Sequence, residues 1–302
     1  MLSIDIILCC YNQEEYVGQA VDSILCQKVD AKVRVIVADD GSTDNTVKSI
    51  QDHRGASPIP FLFLDTDRNV GMSVNYKRAF ARCRADYVAI LEGDDWWLTD
   101  SHLSQHIDFL ERHRRYSMSF NQYDLYYQEQ AITRHNNWPY KDVVYLTINL
   151  RQQISWGNQI GNLSSCVFRT TLLQSLPPDF FQMEYADWEL GIMMALHGPI
   201  GKLRTVTSVY RINGKGQWSA LSSEMKEKSI KDSLENIRQF LPKRCYKYIK
   251  SYNIRIEKGR EMPYPMPLTC RIKSTIKSAI NNIKKRIELG LTHNNYIKNK
   301  CD

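Results

Sequence analysis

Residues 87–100 read YVAILEGDDWWLTD, an apolar run that stops abruptly in acidic residues. The run Tyr87–Leu91 has the length and composition of a buried strand, and EGDD follows it at 92–95. Adjacent carboxylates repel each other, so a fold retains such a cluster where a positive charge lies beside it or where water covers it. Trp96 and Trp97 follow directly, and because indole rings favour burial, a fully solvated acidic turn is disfavoured. The stretch predicts a strand that ends at a cation site.

Strand patterns alternate with helical patterns through the residues that precede this stretch. Strands are predicted at Ile4–Cys10, Val33–Ala38, Phe61–Leu64 and Tyr87–Leu91, and helices at Glu15–Cys26, Asp44–Ile50 and Ser73–Cys83. This order implies right-handed crossovers and a mostly parallel, Rossmann-like α/β sheet with helices on its faces. In such sheets ligands bind beyond the carboxyl ends of the strands. Three of those ends, CCYNQEE (9–15), ADDGSTDNT (38–46) and EGDDWW (92–97), are rich in oxygen ligands, which predicts one shared crevice.

The second half of the chain is predicted to continue the same domain and then to change in character. A helix around Leu103–Leu110 is followed by a strand at Ser117–Tyr127 and a short strand within 160–169. A helix at Tyr185–His197 and a strand at Leu203–Tyr210 come next. Residues 1–222 contain 21 Lys and Arg against 25 Asp and Glu, whereas residues 223–302 contain 19 against 8. We therefore predict an α/β domain over 1–222 and a basic, mainly helical extension over 223–302.

The composition of the chain limits its expected location in the cell. The chain is 43% hydrophobic, yet it has no run of about 18 apolar residues, so we expect no membrane-spanning helix. Its first residues, MLSIDIILCC, carry Asp5 and no basic segment, which is typical of a strand and not of a signal peptide. Eight scattered cysteines without a CxxC pair favour the reducing cytoplasm over a disulfide scaffold or a zinc site.

The basic extension predicts an anionic partner. In residues 268–290, isoleucines lie on one helical face among Lys and Arg, which predicts a helix on the inner surface of the cytoplasmic membrane. The alternatives are packing against the α/β domain or against a second subunit in a homo-oligomer. A nucleic-acid partner is not predicted.

Two strand-end motifs have residue types suited to a nucleotide. Paired Asp residues in EGDDWW suit a hard cation, Mg²⁺ or Mn²⁺, that bridges the diphosphate of a ligand. In VIVADDGSTDNT (35–46), a strand-end Asp can accept the imide N–H of uracil. The alternative is that these acids only cap the following helix.

Two later motifs have residue types suited to catalysis and phosphate binding. Asp187 and Glu189 begin an apolar helix, where a carboxylate is stabilised by the helix dipole, or where it could act as a general base toward a sugar hydroxyl. Trp188 between them fits a sugar-stacking face or the core equally well. In YRINGKGQW (210–218), the loop could close over a diphosphate with Arg211 or Lys215 as counter-charge, or form a plain surface turn.

Together the motifs resemble family 2 glycosyltransferases of the GT-A fold, and best the bacterial members with an EGDDYW signature, which act in capsule, lipopolysaccharide or other surface-polysaccharide synthesis. The resemblance covers residues 1–222 in order. It is carried by CCYNQEEYVGQAVDSILCQ (9–27), VADDGSTDNT (37–46), RNVGM (68–72), EGDDWW (92–97), GNLSSCVFR (161–169), ADWELGIMMALHG (186–198) and YRINGKGQW (210–218).

The resemblance implies a catalytic domain over 1–222, a nucleotide-sugar donor (most often a UDP-sugar), a glycan or lipid-linked acceptor, and Mn²⁺ or Mg²⁺. It implies that Asp94 and Asp95 hold the metal, with Asp95 as the direct ligand, and that Asp187 deprotonates the acceptor hydroxyl in an inverting displacement. The implied donor site consists of Cys9, Tyr11, Glu14, Asp39, Asp40, Asn69, Gly71, Asp94, Arg211 and Trp218. The implied acceptor or sugar pocket consists of Trp96, Trp188 and Glu189.

Three positions depart from the family's pattern. Asn213 follows YRI where relatives often carry His, which predicts weaker metal binding if that His contributes to the site. Ala186 stands where an acid often precedes the catalytic Asp, and Glu189 stands where Pro is frequent. Glu189 is therefore the alternative base.

Two other function classes stay open at this point. A nucleotidyltransferase would also combine an α/β sheet with a carboxylate-bound metal, but its Gly-rich basic phosphate loop is absent from the acidic CCYNQEE. A non-catalytic scaffold that acts through its basic extension is the second, and the intact sets of carboxylates disfavour it.

Overall fold

The computed structural model describes residues 1–136, 143–183, 187–214 and 221–258. Over these ranges ten strands form one mixed sheet. The strands are β1 (Ser3–Cys10), β2 (Lys32–Asp39), β3 (Phe61–Phe63), β4 (Tyr87–Glu92), β5 (Trp96–Trp97), β6 (Met118–Tyr127), β7 (Ile132–Arg134), β8 (Tyr145–Ile148), β9 (Cys166–Arg169) and β10 (Ile200–Ile212). The helices are α1 (Val17–Leu25), α2 (Thr46–Arg54), α3 (Met72–Arg82), α4 (His102–Arg112), α5 (Leu150–Ser155), α6 (Thr170–Gln174), α7 (Asp187–His197), α8 (Ser223–Arg238) and α9 (Tyr246–Glu257).

The first half of the chain confirms the predicted parallel sheet. The strand order is β3-β2-β1-β4, and all three pairings are parallel. The four strands are joined by α1, α2 and α3, so each connection is a βαβ crossover. Their apolar side chains are buried on both faces, as expected of a parallel sheet covered by helices. The carboxyl ends of β1, β2 and β4 therefore lie along one edge, where the predicted crevice begins.

The second half of the sheet is mixed, which the sequence patterns did not predict in detail. The sheet continues β4-β9-β6-β10-β5, and β9 is antiparallel to both of its neighbours. The long strand β10 runs parallel to β6 and pairs in an antiparallel sense with β5, the two-residue strand formed by the paired tryptophans. This last pairing joins the YRIN segment to the EGDDWW turn, although more than a hundred residues separate them in sequence.

The compact unit extends beyond residue 222. A first unit spans Met1–Pro263, and the expected domain boundary at 222/223 falls inside it. Leu234 and Ile237 of α8, and Ile249 and Tyr252 of α9, are buried in the same core as α3 and α7. The two helices are thus part of the domain that carries the crevice.

Several sequence predictions fall outside the described residues. These are Lys215, Trp218 and the amphipathic segment at 268–290. The stretch Tyr264–Asp302 is a second unit and lies wholly in this part of the chain.

Among the described residues, no helix is both long and apolar enough to span a bilayer.

A pair of buried histidines lies beneath the crevice. His102 and His106 are one helical turn apart on α4, and both are 0% exposed. Their Nδ1 atoms lie 2.8 Å from the hydroxyl oxygens of Thr207 and Ser119 respectively. Burial lowers the pKa of His106 from 6.5 to about 3 and lowers the pKa of His102 well below its usual value. Both rings are therefore neutral in the folded protein at neutral pH.

We expect these histidines to make the fold acid-labile. Because their pKa values are depressed on folding, the unfolded chain binds more protons below pH 6.5, and each His lowers the free energy of unfolding by up to about 1.4 kcal/mol per pH unit as the pH falls from 6.5 toward the folded pKa. In urea unfolding at pH 7.5 and 5.5, the free energy of unfolding of the wild type should therefore fall relative to that of His106→Asn, by up to about 1.4 kcal/mol over the interval from pH 6.5 to 5.5.

The comparison between wild type and variant isolates the histidine because the crevice carboxyls act in the opposite sense. Their raised pKa values add stability as the pH falls, equally in both proteins. An identical pH dependence in wild type and His106→Asn would contradict the assignment.

Candidate active site

A fully buried carboxylate, that of Asp95, lies just after the end of β4. Its Oδ2 accepts hydrogen bonds from Ser164 Oγ at 2.6 Å and Asn162 Nδ2 at 2.8 Å, and its Oδ1 accepts one from Arg211 N at 2.8 Å. The side chain is 0% exposed. Burial, and then the charge of Asp94, raise the pKa of Asp95 to about 7. Both oxygens are thus occupied by the protein, and Asp95 ties β4, β10 and the 162–165 turn together.

The neighbouring carboxyls Asp94 and Glu92 complete an acidic group at the end of β4. Asp94 is only partly buried, and its carboxylate accepts hydrogen bonds from Asn213 Nδ2 at 3.1 Å and from the Gln13 side chain. Glu92 Oε1 lies 3.4 Å from the Tyr76 hydroxyl. Burial raises the pKa of Asp94 and Glu92, and the charges of Asp95, Asp94 and Asp187 raise the pKa of Glu92 further. The cluster therefore carries more negative charge than its surroundings compensate.

Gly93 allows this turn to pass close to β1. A Cβ atom at this position would collide with the Gln13 side chain and with Cys10. Its N–H donates to Cys9 O at 2.8 Å, which joins the acidic turn to the end of β1. The glycine in EGDD thus serves close backbone approach.

Arg211 is the cation that supports the acidic turn, and all of its nitrogens are engaged. Its Nε donates to Asp94 O at 2.6 Å, Nη2 donates to Gln19 Oε1 at 2.5 Å, and Nη1 donates to Gln128 Oε1. Its guanidinium carbon lies 4.7 to 5.4 Å from the centres of three aromatic rings. These rings belong to Tyr16, Trp96 and Tyr126. Because Arg211 is only 6% exposed, it supports the turn and is not a free counter-charge for a diphosphate.

A second carboxylate faces the crevice from the first turn of α7. Asp187 Oδ2 accepts a hydrogen bond from Asn158 Nδ2 at 2.6 Å. Burial raises the pKa of Asp187 to about 6, an effect that the hydrogen bond from Asn158 opposes and the charge of Glu189 reinforces. A carboxyl with this pKa is suited to accept a proton near neutral pH.

The three residues expected in an acceptor pocket lie in different environments. Trp188 is 5% exposed and belongs to the core, where its Nε1 donates to Gln153 O at 2.7 Å and its ring lies 5.2 Å from that of Tyr252. This placement corrects the expectation of a sugar-facing indole, because successive residues of a helix point in different directions. Glu189 is buried at 2% exposure. Trp96 is partly exposed and stacks beside Arg211, so it alone of the three lies at the acidic turn.

The two aspartates after β2 organise the neighbouring loops. Asp39 accepts hydrogen bonds from the N–H groups of Gly41 and Ser42 and from the Ser42 hydroxyl. Asp40 accepts the N–H groups of Val70 and Gly71 at 2.9 and 3.0 Å, which holds the loop before α3 against the sheet. Both side chains are largely buried.

A cleft of about 540 Å³ opens beside Asp39, between the ends of β2 and β3. Its apolar floor consists of Val37, Val47, Phe63 and Leu64, and its polar rim consists of Asp39, Asp65, Thr66 and Asp67. A flat heterocycle with polar edges matches this lining.

The remaining predicted donor residues lie around the same edge of the sheet. Tyr11 is 44% exposed beyond β1. Glu14 accepts hydrogen bonds from Asn45, and Asn69 accepts the Gly71 N–H at 3.0 Å. Cys9 Sγ accepts a hydrogen bond from Asn75 at 3.4 Å. These residues of the predicted donor site lie near the carboxyl ends of β1 and β2, and their role in binding a donor stays a prediction.

Several residues of this site were not singled out from the sequence. Asn162 and Ser164 hold Asp95, Asn158 holds Asp187, and Tyr123 packs so closely on Gly161 that a Cβ there would collide with its hydroxyl. Most belong to the QIGNLSS region, whose polar residues between apolar ones were a usable signal. Their partners, however, are far away in sequence.

The carboxylates at the end of β4 are suitable ligands for a hard cation, but they would supply only part of its coordination shell. Carboxylate oxygens at the end of β4 are ligands of the type that Mg²⁺ and Mn²⁺ prefer. Across the described ranges, no three His, Cys, Asp or Glu side chains converge to hold a metal ion by themselves. A cation here would draw its remaining ligands from water and from a bound phosphate.

Comparison with known proteins identifies the group to which these features belong. The uncharacterized protein Mb1547 of Mycobacterium bovis is 28% identical over 222 residues, which cover 72% of this chain and 61% of that protein. The chain thus spans about three fifths of the length of this curated relative.

Solved structures share the fold at low sequence identity. S. aureus TarS 1–349 in complex with UDP-GlcNAc has a TM-score of 0.60 and 15% identity, over 83% of this chain and 71% of that one. The mannosyltransferase PcManGT of Pyrobaculum calidifontis, in complex with GDP-Man and Mn²⁺, has a TM-score of 0.60 and 16% identity, over 82% of this chain and 69% of that one. These similarities show the GT-A fold that the sequence motifs implied.

The family model for glycosyl transferase family 2 matches residues 5–174, which contain most of β1, all of β2 to β4, the acidic turn, and Asn162 and Ser164. The chain belongs to glycosyl transferase family 2.

Proposed function

We propose that the protein transfers a sugar from a nucleotide diphosphate sugar to a hydroxyl group of a glycan or lipid-linked acceptor, with inversion at the anomeric carbon. The observation that carries this proposal is the proximity of two carboxylate sites, the acidic turn at the end of β4 and Asp187 at the start of α7, whose charge raises the pKa of Glu92. Family membership and the GT-A fold support it. The resemblance to EGDDYW-type members favours a UDP-sugar donor and bacterial surface-polysaccharide synthesis.

The donor side of the proposed reaction uses the edge formed by β1, β2 and β4. The cleft beside Asp39 would take the base, with its apolar floor against the ring and its polar rim toward the ring edges. The sugar diphosphate would then extend along the sheet edge toward the acidic turn. A divalent cation bound there would offset the charge that develops on the departing diphosphate.

The geometry favours Asp94 over Asp95 as the direct metal ligand. Asp95 is fully buried, and its two oxygens accept hydrogen bonds from Ser164, Asn162 and Arg211. Asp94 is partly exposed, and its carboxylate accepts hydrogen bonds from the side chains of Asn213 and Gln13. This proposal reverses the order expected from the resemblance. Asp95 then acts as a positioning residue that keeps the turn in place.

The acceptor side of the proposed reaction uses Asp187. Its carboxylate would take the proton of the acceptor hydroxyl as that oxygen attacks the anomeric carbon, and the bond from this carbon to the diphosphate would break. Asn158 orients the carboxylate and favours its charged form. Burial acts in the opposite direction and makes the Asp187 carboxylate more basic. Together the two effects give Asp187 a pKa of about 6, which is close to neutral pH.

The first experiment is a calorimetric titration with UDP, GDP, dTDP and CDP, with and without Mn²⁺, followed by a transfer assay with the sugars of whichever nucleotide binds. Metal-dependent binding of one diphosphate supports the proposal. Absence of binding to all four by folded protein would contradict it and favour a non-catalytic scaffold.

Asp187→Asn should abolish most turnover and leave the donor bound. Loss of the base should lower kcat by about 10²- to 10⁴-fold, with the Kd of the nucleotide unchanged within about twofold. In the wild type, kcat should fall as the pH drops below about 6, because the carboxyl becomes protonated. Glu189→Gln is the matched comparison: retained transfer in Asp187→Asn with loss in a folded Glu189→Gln would move the base to Glu189.

Asp94→Asn and Asp95→Asn should fail in different ways. Asp94→Asn should lose the Mn²⁺ dependence of nucleotide binding and keep the unfolding temperature of the wild type. Asp95→Asn should lower stability by about 1–3 kcal/mol, since an amide nitrogen would then face hydrogen-bond donors. Calorimetry and thermal unfolding of both variants distinguish the roles, and the reverse result would restore Asp95 as the metal ligand.

Arg211→Lys should weaken the acidic turn while keeping a positive charge. Lysine cannot donate to Gln19, Gln128 and Asp94 O together or stack its head group on three rings, so we expect a loss of about 1–3 kcal/mol in stability together with weaker metal-dependent binding. Arg204→Lys, at an exposed position of the same strand, serves as the matched control. Equal behaviour of the two variants would show that charge alone suffices at position 211.

A further inference from the structure

The outward face of α9 is a basic stripe that the site does not use. Lys243, Lys247, Lys250, Ile254 and Lys258 follow one another at spacings of three and four residues, so they align along one face of the helix and its preceding turn. All five are exposed, and Ile254 has 39% of its surface accessible. We refer to these five residues as the α9 stripe.

The opposite face of the same helix is anchored in the protein. Cys245, Ile249 and Tyr252 lie on it and are 2%, 7% and 4% exposed, and α9 packs against α5. The Tyr252 ring also contacts the ring of Trp188, which directly follows Asp187. The helix is therefore held rigidly against the domain with its basic stripe directed outward.

The charges of the stripe are not compensated by described neighbours. Residues 243–258 contain six basic residues and one acidic residue, Glu257, whose charge acts on Lys231 of α8. No ion pair within the described ranges involves a lysine of the stripe. On α8, by contrast, basic and acidic residues are equal in number, and Lys231 and Arg238 pair with Glu227 and Glu235.

We propose that the α9 stripe docks the domain on an anionic lipid surface. Lysines in a row attract acidic headgroups, and their aliphatic stems together with Ile254 can enter the interfacial region while the ammonium groups stay at the headgroups. An apolar side chain in the middle of the stripe favours lipid over a soluble polyanion. The α9 stripe does not include the basic segment at 268–290, and the proposal does not depend on the proposed transfer reaction.

The test is co-sedimentation of the full chain with vesicles of phosphatidylcholine alone and with 30% phosphatidylglycerol added, where about a third of acidic lipid mimics an anionic leaflet. Wild type should bind the acidic vesicles only, and less at high salt. Lys247→Gln with Lys250→Gln should lower the partition coefficient about thirtyfold, from an effect of about fivefold for each lysine. Ile254→Ser should lower it further.

Two control variants test whether vesicle binding depends on the α9 stripe or on net charge alone. Lys228→Gln with Lys231→Gln removes the same charge from α8, and Lys284→Gln with Lys285→Gln removes it from the basic segment near the C-terminus. Both should bind the acidic vesicles within about threefold of the wild type, with an unchanged unfolding temperature in all variants. Equal losses in all three double variants would overturn the proposal, because net charge alone would then explain binding.

Two other outcomes would also overturn it. One is vesicle binding that survives the Lys247 and Lys250 substitutions. The other is binding to heparin that depends on the α9 stripe while acidic vesicles are ignored, which would make the partner a soluble polyanion.

Discussion

The structure depends on the way in which Arg211 and Asp95 hold the acidic turn. The N–H of Arg211 donates to the Asp95 carboxylate, and its guanidinium donates to the backbone oxygen of Asp94. The two contacts fasten β10 to the end of β4, and Ser164 and Asn162 complete the support from a third segment. A turn with three carboxyl groups in four residues is intrinsically repulsive, so a fold that presents it must supply such fixed donors. Buried donors placed by three distant segments supply them here.

This arrangement separates the carboxyls by role. Asp95 is fully buried and accepts three hydrogen bonds, whereas Asp94 and Glu92 are partly exposed and have fewer hydrogen-bond partners. Asp187 faces the same crevice from a different element and is oriented by one amide. Burial raises the pKa of all four carboxyls, which means that the crevice as described is short of positive charge. An excess of negative charge would attract a metal cation, and it would also favour transfer of a proton to one of the carboxylates.

The two helices after residue 222 connect this site to the proposed lipid-facing surface. The ring of Tyr252 on α9 packs on that of Trp188, and Trp188 directly follows Asp187 in sequence. The indole that resembled a sugar platform instead anchors the first turn of α7 to α9. The buried Trp188 therefore fixes the position of the neighbouring candidate base, Asp187. Trp96 is then the partly exposed tryptophan at the acidic turn.

The sequence by itself determined the parallel half of the sheet and the location of the crevice. Apolar runs ending in CCYNQEE, ADDGSTDNT and EGDDWW are local patterns, and parallel strands joined by helices must bring their carboxyl ends to one edge. The position of Asp187 at the start of α7 was also predictable, because an acidic residue followed by an apolar helical pattern is a local signal.

Only the tertiary structure decided which of these residues are free to act. That Asp95 is saturated, that Arg211 is enclosed by Tyr16, Trp96 and Tyr126, and that Trp188 is core all depend on contacts between residues far apart in sequence. The antiparallel insertion of β9 and the membership of α8 and α9 in the same compact unit depend on such contacts too. Hydrogen-bond saturation and burial are properties of packing, and neither residue type nor spacing encodes them directly.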